Sequence, residues 1–194
     1  MKNVEIAKRG NFLSLPVVGS YVGEIKNVRV VKADETRKHD TLEMMIDVTE
    51  GEFANRYTDV YNDQKERFGE AKFKGIFRLT IPDDTTEDWM DRKFGNNLWC
   101  VQESNPGYEW DRDEKKLKGK KIGINVRKRL YTFNGNDGET TEIGQLETIA
   151  DVKAGKCREM KPNDRRSKDN NSSSVDSTDG SSFTDVSKEI SVPW

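Results

Sequence analysis

The sequence has one histidine, His39, two cysteines, Cys100 and Cys157, and no apolar run of more than a few residues. A single histidine, set in the polar run from Lys32 to Asp40, argues against histidine-dependent catalytic triads and reads as a solvated loop side chain. Neither cysteine has a second cysteine or histidine at ligand spacing, which argues against a zinc site and against a disulfide. The short apolar runs cannot span a bilayer. The start at Met1-Lys2-Asn3-Val4-Glu5 has no signal-peptide core, so the chain is expected in the cytoplasm. There is also no glycine-rich phosphate loop, and no catalytic constellation stands out. An enzyme is therefore not expected, nor is any cofactor or metal.

What is present is charge. Of 194 residues, 35% are charged and 32% hydrophobic, with a formal net charge of −2. Such a composition implies a lean core, a heavily solvated surface, or a disordered segment. From Lys161 onward almost nothing is apolar until the last residues, and a segment like that cannot bury enough surface to offset its ordering entropy. The organisation expected is an arm over 1–17, a β-rich domain over 18–160 and a disordered acidic tail over 161–194.

Within the domain, Ser20 to Lys32 reads as a first strand whose alternation shifts phase between Ile25 and Val28, the mark of a bulge. Leu42, Met44, Ile46 and Val48 alternate with Thr41, Glu43, Met45 and Asp47, a half-buried strand. Arg56 to Tyr61 suggests a third strand, and Phe77, Leu79 and Ile81 alternate up to Pro82. Thr85, with Asp88 three positions on, predicts a helix start. Its stripe is Met90, Phe94, Leu98 and Val101, and Asn105-Pro106-Gly107 ends it. Lys120 to Tyr131 turns Ile122, Ile124 and Val126 inward and Lys121, Gly123, Asn125, Arg127 and Arg129 outward. Turn residues at 134–138 then lead to a partner strand over Glu142 to Val152. The fold expected is mainly β, a small five-stranded barrel of the oligonucleotide-binding type with one helix between strands 3 and 4. A sandwich would give similar strings.

Between Lys115 and Tyr131 stand eight basic residues and no acidic one. Lys121, Arg127 and Arg129 share a strand face, where a positive stripe can track phosphates. Single-strand binders also stack bases on rings beside cations. The candidate DNA-binding set is Lys26, Arg29, Lys121, Arg127 and Arg129 for phosphates, with Tyr57, Tyr61 and Tyr131 for bases. Trp89 and Trp99 on the helix read as structural. Residues 172–194 hold four acids against Lys188 alone and finish on an apolar tip. Ile190, Val192, Pro193 and Trp194 are the candidate residues of a partner-recruiting peptide.

The segment Phe94-x-x-x-Leu98, then Glu103-Ser104-Asn105-Pro106-Gly107-Tyr108-x-Trp110-Asp111 and Leu117-x-Gly119-Lys120, resembles a family of small proteins in the replication modules of phages of Gram-positive bacteria. Gly51-Glu52-Phe53-x-Asn55-Arg56 is similar to the same family. The resemblance covers about residues 17 to 155. It implies an oligonucleotide-binding barrel that binds single-stranded DNA during phage DNA replication or recombination. The tail is similar to that of bacterial single-strand binding proteins, with Trp194 where they carry Phe, and implies recruitment of replication or recombination proteins. The alternative expectation is a phage-encoded module that captures or inhibits a host protein. Self-association is left open.

Overall fold

The fold is described from a computed structural model over residues 13–166. In chain order the elements are β1 (Gly19–Val31), β2 (Thr41–Val48), α1 (Arg56–Phe68), β3 (Ile76–Thr80) and α2 (Asp88–Ser104). A 3-10 turn (Glu114–Leu117) follows, then β4 (Lys121–Phe133), β5 (Asn136–Glu147), α3 (Ile149–Lys153) and β6 (Asn163–Arg165). The first five strands form one antiparallel sheet in the order β3-β2-β1-β4-β5. β6 adds in parallel to β4 at Arg129 to Tyr131. That edge is vacant because β1 leaves β4 at Gly19, opposite Val126. The end strands β3 and β5 lie near each other, but no ladder joins them, so the sheet is not closed by hydrogen bonds.

One face of the sheet carries the core. The cross-strand rows Val28, Met44, Phe77 and Val30, Leu42, Leu79 continue through Ile25 and Ile46 to Ile122, Ile124 and Val126. Leu98 and Val101 of α2 cover them. The expected phase shift in β1 is a bulge with Lys26 as the extra residue. The expected turn is a two-residue loop, Asn134-Gly135. Both residues have positive φ, 50° and 76°, as a tight right-twisted hairpin demands.

Several expectations are corrected. Residues 56–61 form the first turns of α1, not a strand. The cause is remote in sequence: Asp47 of β2, fully buried, accepts from the Tyr57 and Thr58 N–H groups at 3.0 and 2.9 Å. Those are N–H groups at the helix start that have no intrahelical partner, and a carboxylate there also favours the helix dipole. β2 is buried on both faces, with Glu43, Met45 and Asp47 covered as fully as its core residues. α2 begins after Glu87, not at Thr85; Thr85 instead donates twice to Asp83 in the preceding turn. The partner strand of β4 ends at Glu147, and 149–153 is helical because Thr148 caps it through Asp151 N–H.

Residues 13–17 lie against the domain, where Leu15 packs on the core and the Thr141 hydroxyl donates to Pro16 O at 2.8 Å. At the other end, 161–166 carry β6. Residues 1–12 and 167–194, and with them Ile190, Val192, Pro193 and Trp194, fall outside the described residues. Among the described residues, no helix is long and apolar enough to cross a membrane.

Candidate nucleic-acid interface

The face of β1, β2 and β3 opposite the core is built from three cross-strand rows. They are Asn27, Met45, Ile76; Arg29, Glu43, Arg78; and Val31, Thr41, Thr80. None of the nine is aromatic. Asn27, Arg29, Glu43, Met45 and Ile76, with Val28, line a shallow groove, and Arg78 stands beside it. At its centre Glu43 is 3% exposed. Arg29 approaches it with Nε at 2.7 Å and Nη2 at 2.6 Å from Oε2, and Arg78 Nε donates to Oε1 at 2.6 Å. Burial alone would raise the Glu43 pKa, but the Arg78 and Arg29 guanidiniums outweigh it and hold the carboxyl below the ordinary glutamate value.

Two loops flank this face. One is the β1–β2 connection, where Asp40 binds Lys32 Nζ at 2.7 Å and the Ala33 N–H at 2.8 Å. His39 in that loop is not solvated as expected: its side chain is 9% exposed and its Nδ1 lies 2.9 Å from Asp83 Oδ2. Asp83 is held well below the usual carboxylate range by the Thr85 hydroxyl and by His39. The other flank is the β4–β5 hairpin with its exposed tip residue Phe133.

Where β3 approaches β5, cations gather. Burial first, and then the Arg165 guanidinium, hold Arg129 below the ordinary arginine value, with Arg78 acting in the same sense. The Arg129 Nε is buried with no hydrogen-bond partner. Crowding by surrounding protein, then Lys72 and Arg129, lower the Lys74 ammonium although the residue as a whole is exposed. Lys72 and Arg129 thus repel Lys74, and Arg165 and Arg78 repel Arg129, with Glu142 offsetting part of this at Arg129, an arrangement that a polyanion relieves further.

The candidates named from the sequence are not brought together as one stripe. Lys121 stands at the start of β4, about 20 Å along the strand from Arg127 at the usual rise per residue. Gly123 and Asn125, expected outward, are buried, because Val152 of α3 covers Gly123 and the segment after α3 crosses Asn125. Asn125 donates to Arg158 O at 2.7 Å, and Met160 Sδ would stand 2.7 Å from a Cβ on Gly144. Arg127 donates to Glu142 at 2.9 Å, Arg129 lies 3.9 Å from the same carboxylate, and Asn163 donates to it at 2.8 Å. Lys26 pairs with Glu24 at 3.1 Å, and Arg29 belongs to the Glu43 row.

Of the three tyrosines, Tyr57 is fully buried on α1 and has no ring face left for a base. Tyr61 lies on α1 beside Phe73, with Lys65 Nζ 5.8 Å above its ring. Tyr131 keeps its place on the outer face of β4 and lies over Gly138. Trp89 and Trp99, expected to be structural, are 48% and 53% exposed on α2.

Residues missed from the sequence had signals. The Phe77, Leu79, Ile81 alternation already turned Arg78 outward, and Lys72-Phe73-Lys74 interleaves cations with an aromatic. The motifs that carried the family resemblance serve the fold. Asn105 exchanges hydrogen bonds with the Lys121 backbone at 3.0 and 2.7 Å. Leu117 is fully buried, and Gly119 N–H donates to Ile25 O at 2.7 Å. Asn55, at φ 57°, starts α1.

No family model matches the sequence, and no curated protein matches it. Among solved structures the chain is similar to yeast RPA bound to ssDNA, at 13% identity and a TM-score of 0.28, over 79% of this chain and 89% of that one.

Proposed function

We propose that this protein binds single-stranded DNA across the outer face of β1, β2 and β3, as a phage protein of DNA replication or recombination, and is not an enzyme. The observation that carries the reading is the convergence of Lys72, Lys74, Arg129 and Arg165 beside a shallow groove. The strand order supports it. A sheet in the order β3-β2-β1-β4-β5, with a helix between β3 and β4 and with β3 near β5, is the path of a five-stranded oligonucleotide-binding barrel closing at that seam. Barrels of that kind bind oligonucleotides on strands 2 and 3 and on the 1–2 and 4–5 loops, and the cations here gather beside those elements. Phosphates run along Lys72, Lys74 and Arg129, and sequence preference is weak.

The test is Lys74→Ala with Arg129→Ala, titrated against a labelled single strand over a salt series. Two lost phosphate contacts reduce the slope of log affinity against log salt by about 1.4. An unchanged affinity and slope would remove the cation cluster from the interface. A second reading, capture of a host protein, draws on the outward Trp89 and Trp99 of α2, since exposed tryptophans are enriched at protein interfaces.

A further inference from the structure

We propose that Arg29 and Arg78, locked by Glu43, form a guanidinium platform on which nucleobases stack, in place of the aromatic rings this face lacks. The inference rests on the single-strand reading and specifies what part of the ligand meets the centre of the groove.

A guanidinium grips a phosphate through the fork of its in-plane N–H groups. At Arg29 the Nε–Nη2 edge is already occupied, and at Arg78 the Nε is. Arg29 directs both Nε and Nη2 at one oxygen of Glu43, at 2.7 and 2.6 Å, and Arg78 directs Nε at the other oxygen, at 2.6 Å. The carboxylate has nowhere else to go: it stands directly between the two arginines in cross-strand register and is 3% exposed. One negative charge shared by two positive ones also weakens this row as an anion site.

What remains accessible is the rest of each side chain, 58% exposed at Arg78 and 35% at Arg29. A guanidinium held by its edge loses little further freedom when a flat ring lies on it, and arginine planes stack on bases as aromatics do. The immediate neighbours suit a base better than a phosphate. Met45 and Ile76 stand in the next row of the same groove. The face thus divides its work, with bases over the Arg29–Glu43–Arg78 row and phosphates toward Lys72, Lys74 and Arg129.

The experiment compares the full-length parent with Arg78→Lys and Arg78→Ala. Each is titrated by anisotropy against a single strand of about 30 bases and against an abasic strand of the same length. Arg78→Lys keeps the charge and the Glu43 pair while losing the plane, and is expected to melt with the parent; Arg78→Ala leaves buried Glu43 to Arg29 alone and is expected to melt lower while staying folded at the assay temperature. Stacking predicts that both variants lose about tenfold on the base-bearing strand. It also predicts an unchanged salt slope and no loss on the abasic strand. If Arg78→Lys binds like the parent while Arg78→Ala lowers the salt slope by about 0.7, Arg78 is a phosphate contact and the platform is overturned. Parent-like binding by both variants overturns it as well, while the single-strand reading stands. A parent that binds neither strand overturns both.

Discussion

Replacing Asp47 tests the physical account of why residues 56–68 are helical. Its carboxylate is fully buried, and its two oxygens accept from the Val48, Tyr57 and Thr58 N–H groups at 2.9, 3.0 and 2.9 Å. The helix has no other side-chain cap, since Asn55 at the N-cap position offers none. Asp47→Ala leaves the two helix N–H groups without this acceptor, each worth about 1 to 3 kcal/mol when buried and unsatisfied. With the lost charge–dipole interaction, the expected destabilisation is about 3 to 5 kcal/mol. Asp47→Asn keeps one acceptor oxygen but turns an amide donor toward the Thr58 N–H, and should cost about half as much. Urea denaturation followed by circular dichroism measures both, with an unchanged m-value expected. For a domain of about 150 residues the thermal midpoint of Asp47→Ala should fall by about 10 °C or more. A loss below about 1 kcal/mol for Asp47→Ala would refute the capping argument and require another cause for the helix.

Other predictions concern the groove and the hairpin. Because the folded-state pKa of Glu43 is depressed, its contribution to stability is present above the unfolded glutamate value near 4.3 and fades as pH falls through the folded value. Urea melts should therefore show Glu43→Gln less stable than the parent at pH 7, with the gap narrowing as pH drops below about 4. A constant gap across that range would contradict the ion-pair account. At the hairpin, Gly135→Ala places a side chain at φ 76° and should cost about 1 kcal/mol. Asn134→Gly at φ 50° should be tolerated within about 0.5 kcal/mol. Gly144→Val should displace Met160 and raise amide exchange over residues 158–165, since the space for Met160 exists only because residue 144 has no side chain.

The elements legible in the sequence are those whose period is set locally. β1 with its bulge, the inward rows of β2, β3 and β4, the stop at Asn105-Pro106-Gly107 and the Asn134-Gly135 turn all follow from alternation or from turn chemistry. Residues 56–61 misled because Tyr57, Val60 and Tyr61 fit either period, and the deciding partner, Asp47, lies across the fold. The outer face of β4 misled for a similar reason. Alternation turned Arg127 and Arg129 outward, but it carries no information that Glu142 from β5 and the crossing segment 154–166 meet them there. The polar appearance of β2 concealed that Glu43 and Asp47 are buried, one between arginines and the other at a helix start. Of the residues in the proposed interface, Arg29 and Arg129 are among those named from the sequence. Lys72, Lys74 and Arg78 became part of it only once β3 was seen to approach β5.

The central claim is single-strand binding, and the most direct measurement is anisotropy of a labelled oligonucleotide of about 30 bases, single-stranded and as a duplex, at low and moderate salt. The account predicts tight binding to the single strand that weakens steeply with salt, and much weaker binding to the duplex. Absence of single-strand binding at low salt would contradict it and leave the exposed tryptophans of α2 as the surface to pursue.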